Sequence, residues 1–391
     1  MYDFDEVLDR RNTGSVKWDV GENELPMWVA DMDFRVLPDV TQTIEDIAAR
    51  GAYGYTDVTD AWYAAYMDWW ETYHSFKIEK DWLMFCTGVV PAISSIVRRL
   101  TLPAEKVVLQ TPCYNIFYNS VVNNGRYVAE NRLIYENGAY RMDFEDLEEK
   151  LSDRQTALLI LCNPQNPVGR IWTEDELAMV GELCKKYNVT VVSDEIHCDI
   201  TAPGKEYVPF ARVTDTCKDI SISLIAPTKC FNLAGIGTSA IVIPDENIRH
   251  KVWRGINNDE IAEPNIFACE CAVSAFTYGR QWLEEMCEYV FENKRIVGEY
   301  IQQNIPSLKL VGSEATYLCW LDCSVIGMSS TELARRIRKI SGLYLSDGTV
   351  YGPGGEYFLR MNVACPRALL NEGLLRLKNS IEEIRSDRHL V

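Results

Sequence analysis

Residues 219–245 read DISISLIAPTKCFNLAGIGTSAIVIPD, and between Ile220 and Pro244 the one formally charged side chain is Lys229. Two apolar runs, ISISLIA and SAIVI, flank it. Short continuous apolar runs bounded by turn residues read as buried strands. Lys229 therefore stands in a turn at the end of one strand, just before the next. An isolated ammonium is costly to bury, so such a group either finds a partner or loses its proton. A structural lysine and a lysine with lowered pKa, able to act as a nucleophile, both fit the stretch taken alone.

Moving toward the N-terminus, the same grammar repeats. WLMFCTG (82–88), KVVLQTP (106–112), TALLILCNP (156–164) and VTVVSDE (189–195) read as strands. PAISSIVRRL, DFEDLEEKL and TEDELAMVGELCKKY, lying among them, read as helices. Alternating strands and helices with near-continuous apolar strands predict an α/β domain around a buried, mostly parallel sheet, with helices on both faces. The segment up to about residue 45 reads as irregular. After about residue 275 the pattern changes to long helices, the short strands TYLCWLD and YFLRMNV, and a charged final helix. The expected division is a large domain over 46–275, with 1–45 and 276–391 forming the N-terminal segment and a smaller α+β domain.

Composition narrows the class. The chain has 391 residues, 47% hydrophobic and 25% charged, with net charge −18. That is the profile of a globular protein with a sizeable core. The acidic balance argues against nucleic acid and anionic membranes as partners. MYDFDEVLDRRN is charged from its third residue, and no run of about 18 uncharged apolar residues occurs, so neither a signal peptide nor a membrane span is expected. A cytoplasmic location is the matching expectation. The 13 cysteines are scattered without a CxxC pair, and the reading for them is buried reduced thiols. His74, His197, His250 and His389 lie far apart in sequence, so no metal is expected.

The unusual polar residues fall just after the strands. Gly88 follows the first, Pro112-Cys113-Tyr114 the second and Asn163 to Asn166 the third. Asp194 and His197 follow the fourth, and Thr228-Lys229 the fifth. In open α/β sheets, ligands bind at the carboxyl ends of the strands. Gly88-Val89-Val90 opens a helix whose free amides suit an anion, although an ordinary helix start looks the same. Asp194 should be buried, either as a structural ion pair or cap, or as a partner for a protonated ligand nitrogen. His197 alone is equally a satisfied core histidine. Together, a lysine, a buried carboxylate, phosphate donors and an aromatic after a strand fit pyridoxal 5'-phosphate, which needs each of them.

NPQNPVGR, SDEI and APTKCFNLAG, with 28 residues from Asn166 to Asp194 and 35 from Asp194 to Lys229, resemble the core motifs of the fold-type-I pyridoxal-phosphate enzymes, the aspartate aminotransferase superfamily. MWVADMDF, TGVVPAISS, SDEIHCDI, TKCFNLAG and YFLRMNVACPR resemble its cystathionine β-lyase-like, or C–S lyase, branch. The resemblance spans essentially the whole chain. It implies that Lys229 holds the cofactor's aldehyde and that Asp194 pairs with the pyridinium nitrogen. It gives Asn166 the ring 3-hydroxyl, His197 a second ring-side place and Tyr114 the stacking position. Arg360 corresponds to the arginine that clamps the substrate α-carboxylate, and Ala30 to the N-terminal backbone beside the substrate. Many aminotransferases carry a phosphate-binding arginine eight residues after the lysine, where this chain has Gly237. Phosphate anchoring then falls to the amides of Gly88, Val89 and Val90, to Thr228, and to Tyr55 from a second copy in a homodimer with shared sites. The implied activity is α,β-elimination from cystathionine or cysteine-type amino acids to a thiol, pyruvate and ammonia. An aminotransferase shares every step up to the carbanion. A non-catalytic regulator on the same fold would not need the complete residue set.

Overall fold

The computed structural model describes residues 2–388, so Met1 and His389 lie outside it. Seven strands build the main sheet: β1 (Leu83–Cys86), β2 (Lys106–Thr111), β3 (Tyr127–Arg132), β4 (Thr156–Cys162), β5 (Thr190–Asp194), β6 (Ser221–Ile225) and β7 (Ser239–Val242). Their order is β1-β7-β6-β5-β4-β2-β3. The pairs β3/β2, β2/β4, β4/β5 and β5/β6 are parallel. β7 is antiparallel to both β6 and β1. The sheet is thus mostly parallel, with one reversed strand near its edge.

Alternation along β4 shows why both faces need cover. Leu158 and Ile160 pack with Ile93, Ile96 and Val97 of the helix Val89–Leu100. Leu159 and Leu161 face the other way, onto Leu177 and Val180 of the helix Glu174–Lys186. Each such side chain contributes roughly 1.5–3 kcal/mol when fully buried. Thr173 starts the second helix with a reciprocal capping box to Glu176.

A smaller antiparallel sheet contains β8 (Lys309–Leu310), β9 (Leu318–Asp322), β10 (Ser346–Asp347) and β11 (Phe358–Asn362), in the order β8-β9-β11-β10. Register in this sheet sets Trp320 opposite Arg360 and Ser346 on the other side of Arg360. No helix among the described residues is long and apolar enough to cross a membrane. All 13 cysteines are free thiols and buried.

Three local readings differ from the sequence expectation. The segment read as irregular up to about residue 45 contains the helix Pro38–Ala49, which starts on a proline and buries Val40 and Ile47. β3 was not expected, because YVAENR is a largely exposed edge strand without an apolar run. The hairpin Ile134–Glu136/Ala139–Arg141 is too short and polar to announce itself.

Candidate active site

The strand ends converge as the sequence pattern predicted. A cavity of about 190 Å³ is lined by Gly88, Val89, Val90, Tyr114, Asn166, Asp194, His197, Thr228, Lys229 and Ala30. A second cavity, about 860 Å³, shares Ala30, Tyr114 and Lys229 with it and reaches Arg360. Ten of the twelve candidate residues thus line the inner cavity and Arg360 the outer one. Tyr55 is fully exposed and lines neither.

Lys229 donates from Nζ to the carbonyl oxygen of Ala30 at 2.7 Å. Burial, seconded by the charge of Arg360, lowers its pKa to about 8, against the opposing pull of Asp31 and Asp194. Asp194, at the end of β5, is 5% exposed. Burial raises its pKa to about 7, opposed by a backbone hydrogen bond from Ile196 and by Lys229. The Ile196 amide meets Asp194 Oδ1 at 3.2 Å, and no arginine, lysine or histidine among the described residues forms a salt bridge with it. A buried carboxylate without a cation is costly to hold. His197 is buried and held well below its ordinary pKa by burial, and Nδ1 has no hydrogen-bond partner among the described residues. Its ring meets Tyr317 edge-on at 5.9 Å.

Arg360, on β11, is 5% exposed. Nη1 donates to Asn166 Oδ1 at 3.2 Å and Nη2 to the Trp28 carbonyl at 2.9 Å, while Nε has no partner. The guanidinium lies 4.8 Å from the Tyr351 ring centroid. Val89 and Val90 are the first residues of their helix, so their amides have no carbonyl one turn back. Gly237 has φ +67°, in the left-handed region, with Thr87 O 3.5 Å from where a Cβ would stand. An arginine at this position would be strained as well as absent.

Two of the strand-end residues prove structural. Asn163 donates to the Val208 carbonyl at 2.9 Å. Glu195 accepts from Ser193 Oγ, the Phe210 amide and Tyr207 Oη. Burial raises the Glu195 pKa, and these donors oppose it.

The residues that sequence reading missed are those that hold the segment 28–34. Trp28 O accepts from Arg360 and from Ser346 Oγ at 2.9 Å. Asn362 Nδ2 donates to Val29 O and Asp31 O, each at 2.6 Å. Tyr317 Oη donates to Ala30 O at 2.9 Å, sharing that acceptor with Lys229. Asn232, in the left-handed region at φ +57°, donates to Met32 O and Phe34 O and accepts from the Met32 amide. Asp33 is buried against Lys17 (2.7 Å), Arg10 (2.7 Å) and Trp18 Nε1 (2.8 Å), which makes it a structural anchor. Asn232 and Asn362 lie inside the quoted TKCFNLAG and YFLRMNVACPR stretches and Tyr317 inside the strand TYLCWLD, but nothing local in them says which backbone groups they reach.

Histidines far apart in sequence also find company. His74 Nε2 lies 2.9 Å from Asp199 Oδ1, with Cys198 beside them. Asp199 Oδ1 also accepts from Trp69 Nε1 at 2.9 Å, so the carboxylate already has hydrogen-bond donors.

The chain matches the model of the family "Aminotransferase class I and II" over residues 17–377. It is 41% identical over 384 residues to the cystathionine beta-lyase PatB of Bacillus subtilis, covering 97% of this chain and 99% of that protein. The protein MalY of Escherichia coli is 28% identical over 393 residues, covering 98% and 100%. Among solved structures, cystalysin from Treponema denticola, which contains a pyridoxal 5'-phosphate cofactor, matches with a TM-score of 0.95 at 30% identity, covering 98% and 100%. The PLP-bound C–S lyase from Staphylococcus hominis matches with a TM-score of 0.92 at 30% identity, covering 98% and 99%.

Proposed function

We propose that this chain, which belongs to the class I and II aminotransferase family, is a pyridoxal-phosphate-dependent carbon–sulfur β-lyase acting on cystathionine or cysteine-type amino acids. The observation that carries the cofactor reading is the buried Asp194. It faces the same cavity as a lysine of lowered pKa, and no cationic side chain among the described residues forms a salt bridge with it. A protonated ring nitrogen is the partner that such a carboxylate lacks. The unpaired Nδ1 of buried His197 and the free helix amides at Val89 and Val90 fit the ring side and the phosphate in the same way.

In this reading Lys229 holds the cofactor aldehyde, Asp194 the ring nitrogen and Asn166 the ring hydroxyl. Tyr114 stacks on the ring, with His197 at its side. Gly88, Val89, Val90 and Thr228 hold the phosphate. Tyr55 comes from a second copy of the chain, in a homodimer whose fully exposed Tyr55 is free to reach across. The cofactor, when bound, supplies an electron sink for the pair left on the substrate α-carbon.

The protein's own part is positioning and proton transfer. Arg360 binds the substrate carboxylate through its guanidinium fork, steadied by Asn166 and the Trp28 carbonyl. Once the substrate amine has replaced it on the cofactor aldehyde, Lys229 would be free to remove the α-proton at Nζ; burial lowers its pKa to about 8, which favours the unprotonated amine. The Ala30 carbonyl keeps that amine from drifting. Ionised Asp194 keeps positive charge at the far end of the site. The C–S bond then breaks and a thiolate leaves from the β-carbon. The remaining three-carbon fragment ends as pyruvate and ammonia after hydrolysis.

Elimination rather than amino transfer is supported by the likeness to a cystathionine β-lyase over nearly the full length of both chains. The deciding assay is pyruvate release from cystathionine with no 2-oxo acid present. Steady multiple-turnover release is expected. Strict dependence on an added 2-oxo acid would replace the lyase by an aminotransferase.

A further inference from the structure

Lys294 is a buried lysine that the reaction above does not use. It lies in the helix Arg280–Asn304 and is 5% exposed. Among the described residues no carboxylate pairs with it. Its Nζ donates to Ser313 Oγ at 2.7 Å and to the Ala315 carbonyl at 2.8 Å. Burial lowers its pKa to about 8. A methionine would fill similar space without a charge to desolvate. The ammonium is therefore accounted for by what its two charge-assisted hydrogen bonds hold.

They hold a loop that touches three parts of the site. The amides of Glu314 and Ala315 both donate to Gly169 O at 2.8 Å, at the end of the turn that carries Asn166. Contact there is close: a Cβ on Gly169 would stand 2.1 Å from Ser313 Oγ. The Thr316 amide donates to Ile200 O at 2.8 Å, three residues past His197. Thr316 itself has φ +65°, a conformation costly for a β-branched residue and held by its surroundings. Tyr317 follows immediately and reaches the Ala30 carbonyl that Lys229 also uses.

We propose that Lys294 is a positioning residue: by clamping Ser313 and Ala315 it holds Tyr317 on the Ala30 carbonyl and the Asn166 turn against the strand ends, and so sets the placement of Lys229. This rests on the function proposed above for the reaction affected, whereas the cofactor-retention readout below holds for any activity of the site. Of the contacts that support Arg360, the Trp28 carbonyl and the Tyr351 ring do not run through residues 313–316 and only the hydrogen bond to Asn166 does, so substrate capture is affected less than the placement of Lys229.

The test compares wild-type holoenzyme with Lys294→Met, Lys294→Arg and Ser313→Ala. It measures kcat and KM for cystathionine, and the rate of pyridoxal-phosphate release on dilution by visible absorbance. Lys294→Met is expected to lower kcat about ten- to a hundredfold, the scale of a small misplacement of reacting groups, with KM changed less than about threefold. Cofactor release should quicken. Lys294→Arg should restore part of kcat. Wild-type kcat and release rate in a folded Lys294→Met protein would overturn the proposal. So would a lowered melting temperature with kcat unchanged. If Lys294→Met does not fold, Ser313→Ala decides: a smaller fall in kcat with KM kept supports the proposal, and unchanged kcat and release overturn it.

Discussion

The Nζ of Lys229 lies 2.7 Å from the carbonyl oxygen of Ala30, 199 residues earlier in the chain. Tyr317 donates to the same oxygen at 2.9 Å. One backbone carbonyl from the N-terminal segment thus fixes the direction of the one lysine at the strand ends. The amine that the proposed reaction needs is aimed by two distant parts of the chain.

Because burial brings Lys229 to about 8, its reactivity as an amine should develop early on the pH scale. In apoenzyme, the rate of modification by pyridoxal phosphate should rise through pH 8 and level off above it. An ordinary lysine would keep gaining to about pH 10.4. Borohydride trapping and peptide mapping at a series of pH values check this. Lys229→Ala should lose about 10² to 10⁴ in turnover while still binding the cofactor weakly.

Asp194 gives a stability prediction with a definite sign. Burial raises its folded pKa to about 7, above the ordinary 3.8, so between those pH values the folded state holds the extra proton. Apoenzyme stability from this group is therefore greatest at low pH and falls as pH rises toward 7. Asp194→Asn should stabilise the apoenzyme at pH 8, by on the order of 2–4 kcal/mol, and scarcely at all at pH 4. The same variant should lose nearly all turnover. Urea titrations of both apoproteins at the two pH values decide it; equal stabilities at pH 8 would refute the picture of an unpaired buried carboxylate.

Arg360→Lys keeps the charge and loses the fork. A lysine cannot meet Asn166, the Trp28 carbonyl and a carboxylate in one plane. KM for cystathionine should rise by about one to two powers of ten, since hydrogen bonds to charged groups are worth about 1.5–3 kcal/mol each. A change confined to kcat, with KM kept, would remove Arg360 from the substrate's carboxylate.

Gly237→Ala probes the missing phosphate arginine. At φ +67° a Cβ costs about 1–2 kcal/mol, and the Thr87 carbonyl would stand at 3.5 Å from it. Thermal unfolding of the variant should fall accordingly, with the cofactor still bound. Unchanged stability would mean that the local backbone adapts without strain.

Much of this was legible in the sequence, for a physical reason. A buried parallel strand announces itself as an apolar run, and a polar residue immediately after it stands at the sheet's carboxyl edge. Gly88, Tyr114, Asn166, Asp194, His197, Thr228 and Lys229 were found in that way, and they line one cavity. β3 escaped because an edge strand with only Asn131 fully buried has no apolar run. The helix Pro38–Ala49 escaped because only Val40 and Ile47 of its face are buried.

The α/β class, the mostly parallel sheet and the polar residues that stand on the strand ends can be read from the residues alone, since each is encoded within a few neighbouring positions. What faces them depends on how distant segments pack. The acceptor for Lys229 is a backbone carbonyl, and every residue has one, so nothing in the letter Ala30 marks it. Tyr317 and Asn362 act through partners 287 and 331 residues away in the chain, and Lys294 through a loop that follows its own helix. Their roles follow from packing the small sheet and the N-terminal segment onto the strand ends, a relation of distances between segments that no local pattern carries.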